Sequence, residues 1–186
     1  MTKTALLLAA LLAATCASAQ TVKLQTTEGD IRIELNAEKA PKTVANFLQY
    51  VKAGHYNGVI FHRVIGNFMI QTGGYDAKLN QRPTKPPIPL ESGNELPNLR
   101  GTIAMARTDD PNSATSQFFI NVVDNFNLNA DVGRTGTGYA VFGQVVEGMD
   151  VVDKIRAVET KSVSVHHNLP IKPIFITKAV IEPAKK

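Results

Sequence analysis

The stretch Phe61-His62-Arg63-Val64-Ile65, followed by Phe68-Met69-Ile70-Gln71, decides how this chain is to be read. Apolar side chains dominate both runs, and Gly66-Asn67 between them is a turn dipeptide, so the pair predicts two adjoining strands. Arg63 and Gln71 interrupt the apolar pattern. A guanidinium among Phe, Val, Ile and Met is costly unless something uses it. The expected setting is a pocket that combines an apolar wall with a fixed hydrogen-bond donor.

Ser116-Gln117-Phe118-Phe119-Ile120-Asn121 has the same mixed character. In a strand, Gln117 and Phe119 share one face while Phe118 and Ile120 share the other. Taken alone, Met69 or Phe119 reads as plain core packing. Arg63, Gln71 and Gln117 together resist that reading, because three polar groups must all find partners.

Working outward, Val22 to Thr27 and Ile31 to Leu35 alternate apolar and polar residues across the turn Glu28-Gly29-Asp30, a hairpin pattern. Pro41 opens a helix at its first position, Val44, Phe47, Leu48 and Val51 follow helical spacing, and Gly54 closes it. Residues 74–99 carry Pro83, Pro86, Pro87, Pro89 and Pro97, which rules out a central strand or long helix and predicts a long ordered surface loop. Gly101 to Ala106, Gln117 to Val123, Tyr139 to Val146 and Ile174 to Ile181 read as further strands. A loop over 124–138 and a second helix over Gly148 to Ala157 complete the pattern. Many strands with two helices predict one domain, mainly β: a closed antiparallel sheet plugged by helices at its ends.

The beginning of the chain predicts its compartment. Lys3, the Ala/Leu run from Ala5 to Ala14 and the small residues Ala17-Ser18-Ala19 have the form of a signal peptide over residues 1–19, cleaved before Gln20. The apolar run is shorter than the ~20 residues that span a bilayer. Thr15 directly before Cys16 fits a lipoprotein site poorly. Cleavage would remove the only cysteine and leave residues 20–186 without a thiol, so no disulfide is expected. Export without cysteines fits a periplasm. No membrane association is expected after processing, and monomer is the default.

Several function classes lack support. The formal net charge is +4, and the basic residues are scattered rather than striped, which argues against nucleic acid as the main partner. Gly133, Gly136 and Gly138 do not form the dinucleotide fingerprint. His166-His167 is expected in a solvated loop, since neighbours on an extended chain point in opposite directions and cannot chelate together. Ser113 and Ser116 have no recognisable His and Asp partners. Asp109-Asp110 before Pro111 reads as a turn. Neither metal nor cofactor is expected.

At the apolar, amide-rich and Arg-bearing residues the chain resembles the cyclophilin-type peptidyl-prolyl cis-trans isomerases. The resemblance runs through Ala40-Pro41-Lys42-Thr43 with Asn46-Phe47, the Phe61 to Gln71 block, Gly101 to Ala106, Ser116 to Ile120, Val141-Phe142-Gly143 and Glu147-Gly148-Met149. The proline-rich loop is most similar to the bacterial periplasmic branch. It implies a closed eight-stranded antiparallel barrel capped by two α-helices, with the site on the barrel's outer face. It implies Arg63 as the catalytic residue and Phe68, Met69, Phe119 and Leu128 as walls of a proline pocket capped by Tyr139. Gln71, Ala106, Arg107 and Gln117 would hold the substrate backbone. Tyr139 stands where many members have His, and Asn127 where many have the Trp that helps bind cyclosporin, so weak cyclosporin binding is implied. Arg107 stands where eukaryotic members often have Asn, which points to acidic segments before the proline. The expected partners are proline-containing peptides and unfolded exported polypeptides. The alternative is a proline-segment-binding holdase with incidental isomerase activity.

Overall fold

The computed structural model describes residues 20–130 and 136–183. The expected leader over residues 1–19, Gly133 and the two terminal lysines lie outside the described residues. Strand β1 (Thr21–Thr26) pairs antiparallel with β2 (Gly29–Leu35). Val22, Leu24, Ile31 and Ile33 are all fully buried, so period-two alternation places the apolar set of both strands inside. Helix α1 (Pro41–Lys52) has Pro41 in its first turn and buries Val44, Phe47, Leu48 and Val51. Gly54 follows at φ +68°, the left-handed conformation that ends helices and that a side chain resists.

Strands β3 (Val59–Ile60), β4 (Arg63–Ile65), β5 (Met69–Thr72), β6 (Thr102–Met105), β7 (Phe118–Asn121) and β8 (Val141–Glu147) precede helix α2 (Met149–Arg156). Strands β9 (Thr160–Val163), β10 (His166–Pro170) and β11 (Phe175–Glu182) close the chain. Nine strands form one curled sheet in the order β3-β11-β1-β2-β8-β6-β7-β5-β4. Phe47 of α1 enters its concave side, with ring centroids 5.3 Å from Tyr56, 5.3 Å from Phe118 and 5.2 Å from Phe142. Val151, Val152 and Ile155 bury the inner face of α2. Burial of one such apolar side chain contributes about 1.5–3 kcal/mol.

Two expectations require correction. The closed eight-stranded barrel is not what the ladder forms: the sheet is open, with nine strands. Its terminal strands β3 and β4 are not paired with each other. The reason lies at Phe61-His62, which leaves the ladder between them. The Phe61 amide donates to Ile174 O (2.9 Å), toward β11, and the His62 amide donates to Gln71 O (3.1 Å), toward β5. A strand that would join both ends of a barrel is thereby divided into two short ones. The second correction concerns His166-His167, which lie not in a loop but on β10, paired with β9 in a separate two-stranded sheet.

The proline-rich loop is held by polar contacts rather than by regular structure. Lys85 N–H donates to the Tyr50 hydroxyl (2.8 Å), Ile88 N–H to Ala114 O (3.0 Å) and the Asn94 amide to Val141 O (2.8 Å). Among the described residues, no helix is long and apolar enough to cross a membrane.

Candidate active site

Register builds the site. Arg63 on β4 lies opposite Gln71 on β5, Gln71 opposite Phe119 on β7, Phe119 opposite Ala104 on β6, and Ala104 opposite Val141 on β8. Residues directly opposite on antiparallel strands share a face. A single rung therefore crosses five strands and carries a guanidinium, an amide and then an apolar surface. The neighbouring rung, Val64, Ile70, Ile120 and Ile103, faces the main core.

The two faces pack as separate apolar clusters. Met69, Ala104, Phe119 and Val141 form a buried group of their own, with Ile65, Phe68, Leu96, Ala106, Leu128 and Tyr139 against it. The structure thus brings the expected pocket walls Phe68, Met69, Phe119, Leu128 and Tyr139 together on the outer face. The Tyr139 ring meets Phe119 edge-on at 5.7 Å, a favoured geometry for aromatic pairs.

The polar side of the rung is linked. Gln71 Nε2 donates to Gln117 Oε1 at 2.9 Å, and exposed Arg63 donates through Nη1 to Gln71 Oε1 at 3.5 Å. Gly74 makes room for this pair, since a Cβ there would stand 2.7 Å from Gln117 Cγ. Ala106 donates its N–H to Gln117 O at 3.0 Å. Arg107 makes several contacts within the protein. Its guanidinium lies 4.7 Å from the Tyr139 ring centroid and donates to Gly138 O (3.0 Å), Thr108 O (2.8 Å) and Thr137 Oγ1 (2.9 Å). That side chain braces the loop that carries Tyr139.

His62 lies beneath this arrangement, buried, with its Nδ1 lacking a partner. Its ring packs 4.7 Å from Tyr75, which in turn meets His166 at 4.9 Å. Burial, followed by the charges of His166 and Arg63, lowers its pKa to about 4, against opposing hydrogen bonds from the ring to the Ile60 backbone and the Gln117 side chain. His62 is therefore neutral at pH 7.

A family profile described as cyclophilin type peptidyl-prolyl cis-trans isomerase/CLD matches residues 21–181. This chain belongs to the cyclophilin-type peptidyl-prolyl cis-trans isomerases. It is 52% identical over 181 residues to a peptidyl-prolyl cis-trans isomerase of Acinetobacter baylyi, covering 97% of this chain and 95% of the relative. It is 51% identical to peptidyl-prolyl cis-trans isomerase B of Escherichia coli, covering 86% of this chain and 98% of that one. A cyclophilin type isomerase of Cryptosporidium parvum, crystallised in the presence of the dipeptide Ala-Pro, superposes with a TM-score of 0.73 at 28% identity, over 88% of this chain and 99% of its own. The fold is thus cyclophilin-like, and the chain is an isomerase that works without a covalent intermediate.

Sequence reasoning missed part of this cyclophilin's site. Ala104, Val141, Ile65 and Leu96 join the pocket cluster, and only the first two lie on the rung that register would have revealed. It also missed Asn98, Asn121 and Asn125, all buried beneath the pocket. Asn is a common turn residue, so its enrichment over 121–129 carried no separate signal. A further cavity of about 630 Å³ shares Leu96 and Val141 with the pocket cluster but opens toward Glu34, Leu35 and Gln144. It contains none of the polar residues of the rung.

Proposed function

We propose that this isomerase rotates Xaa-Pro bonds of exported, folding polypeptides, with Arg63 as the catalytic residue and the Met69–Phe119 cluster as the proline pocket. The observation that carries the reading is the rung: a guanidinium on the same sheet face as a separate apolar cluster, two strands away from Phe119. An Ala-Pro dipeptide accompanying the Cryptosporidium relative supports a proline-containing ligand.

The Xaa-Pro bond resists rotation through amide resonance, as peptide bonds do with barriers of ~18–20 kcal/mol. Twisting it localises a lone pair on the prolyl nitrogen. A donor aimed at that nitrogen binds the twisted state better than either planar one, which lowers the barrier. Arg63 stays charged and offers a rigid fork of donors; Gln71, held by Gln117, orients one arm. Phe68, Met69, Phe119, Leu128 and Tyr139 grip the prolyl ring while the preceding carbonyl swings. The Ala106 N–H is already committed to Gln117, so its carbonyl is the group that receives substrate backbone. Arg107 acts through Tyr139 and adds positive charge beside the pocket, which favours acidic residues before the proline. Asn127 on the 3-10 turn Phe126–Leu128 supplies no indole, so cyclosporin binding is weak.

The leader over residues 1–19 and the absence of a thiol in residues 20–186 support action in the periplasm. Two measurements test the proposal together. In a protease-coupled assay, turnover should be highest for Glu or Asp before proline. Cell fractionation should recover a chain beginning at Gln20 from the periplasm. A chain retained with its leader in the cytoplasm, or turnover indifferent to the Xaa charge, contradicts the corresponding part.

A further inference from the structure

The apolar pocket draws its walls from two kinds of backbone. Met69, Ala104, Phe119 and Val141 sit on ladder strands. Phe68, Leu128 and Tyr139 do not: they lie in a turn, a 3-10 turn and an irregular segment. Ladder hydrogen bonds fix the first set; of the second, Phe68 takes one bond that continues the pairing, from Val122 N–H to its carbonyl at 3.2 Å, and Leu128 and Tyr139 lie outside the ladder.

A buried amide cluster adds side-chain hydrogen bonds to the carbonyls of Phe68 and Leu128. Asn125 Nδ2 donates to Phe68 O at 2.8 Å. The two Nδ2 hydrogens of Asn98 are shared among Leu128 O (3.2 Å), Asn129 Oδ1 (3.2 Å) and, at the longest distance, Tyr139 O (3.5 Å), while the Tyr139 N–H donates to Leu128 O (2.9 Å). The cluster is itself closed. Asn125 Nδ2 also donates to Asn121 Oδ1 (2.7 Å), and Asn121 Nδ2 donates to Asn98 Oδ1 (3.2 Å) and Thr102 Oγ1 (2.9 Å). Asn98 N–H donates to Asn129 Oδ1 (2.8 Å), and Asn125 N–H to Asn98 O (2.8 Å). Asn98 and Asn121 have no exposed surface and Asn125 has 5%. A buried polar network in which the members satisfy one another rigidifies its surroundings.

From this geometry we infer that Asn98, Asn121 and Asn125 are positioning residues: they set the width of the proline pocket by holding the backbones of Phe68 and Leu128, and through Leu128 that of Tyr139, against the Met69–Phe119 floor. The inference rests on the assignment of that cluster as the proline pocket. It carries a kinetic signature. A pocket that grips the ring acts on planar and twisted states alike, so loosening it removes uniform binding and raises KM more than it lowers kcat.

The test uses Asn98→Asp and Asn125→Asp, which keep side-chain size but lose the donors to the wall carbonyls, with Thr102→Val as a milder variant that removes one of the two acceptors of Asn121 Nδ2 together with the hydroxyl's own bond to Leu99 O. Initial rates with an Xaa-Pro tetrapeptide are measured well below each variant's melting temperature. Expected is a KM rise of about five- to tenfold for the two Asp variants, as loss of one or two buried hydrogen bonds implies, with kcat within about twofold. The Thr102→Val shift should be smaller and of the same sign. Glu91→Gln, at the loop carboxylate that accepts from the Lys42 and Thr43 N–H groups in the first turn of α1, should lower the melting temperature without moving KM. If Thr102→Val and every folded Asp variant keep wild-type KM, or if Glu91→Gln raises KM as they do, the cluster is merely structural. Arg63→Ala measured alongside separates the two levels. Full turnover in that variant removes the site and this inference with it, whereas an inactive Arg63→Ala beside unaltered Asn variants removes only the positioning role.

Discussion

His62 sits next to Arg63 in the chain, yet its ring belongs to the interior and its Nδ1 has no partner. A histidine with a folded pKa of about 4 against ~6.5 when unfolded leaves the unfolded state with more bound protons between those values. Stability therefore rises with pH through that window, by at most ~1.4 kcal/mol per unit. It is complete above the unfolded value and falls as the solution is acidified toward pH 4. His55, whose pKa is lowered chiefly by burial, contributes in the same sense. Denaturant melts from pH 7.5 to 4.5 should show this loss, and His62→Gln should flatten part of it. An unchanged pH slope in that variant would show that His62 titrates alike in both states. At this scale the sequence was informative where chemistry is unusual: Arg63, Gln71 and Gln117 stood out because an apolar strand does not tolerate them unpartnered. His62 did not stand out, because its burial depends on Tyr75 and on β10.

Among the elements, α1 shows what the proline-rich loop does for the fold. Ala40 at the helix N-cap supplies no side-chain acceptor. Glu91, far along the loop, takes that place: Oε1 accepts from Lys42 N–H (3.1 Å), and Oε2 accepts from Thr43 N–H (2.8 Å) and Thr43 Oγ1 (2.7 Å). A carboxylate there satisfies orphan amides and complements the helix dipole. Glu91→Ala should lower stability by about 1–2 kcal/mol, seen as a reduced midpoint in urea with the slope unchanged. A midpoint equal to wild type would assign the contact no net value. The helices and most strands were legible from period and from Pro41 and Gly54. The β9–β10 hairpin was not, because Lys161, Ser162, His166, His167 and Asn168 give it no apolar alternation.

For the whole molecule, period two divides the sheet into a face that surrounds Phe47 and a face that carries the rung. That division explains how a chain with one core holds a second apolar cluster at its surface. Alternation within each strand could be read in advance. Which strands lie side by side could not, since order and register depend on long-range pairing. The same limit applies to closure: nothing local at Phe61-His62 indicates that β3 and β4 would separate instead of forming one shared strand. The Asn98 cluster also depends on this scale, because Asn98 and Asn121 meet only after β6 and β7 have paired.

The central claim is that Arg63 stabilises the twisted prolyl bond from a sheet face whose apolar pocket is built independently of it. It is tested most directly by magnetisation-exchange NMR on an Ala-Pro peptide with the wild-type enzyme, Arg63→Lys and Arg63→Ala. The account predicts exchange cross-peaks with wild type, a rate lower by about 10²-fold or more for Arg63→Ala, an intermediate rate for Arg63→Lys, and peptide affinity changed by less than about fivefold. Cis-trans exchange in Arg63→Ala as fast as in wild type, in a protein with an unaltered fold, would contradict it.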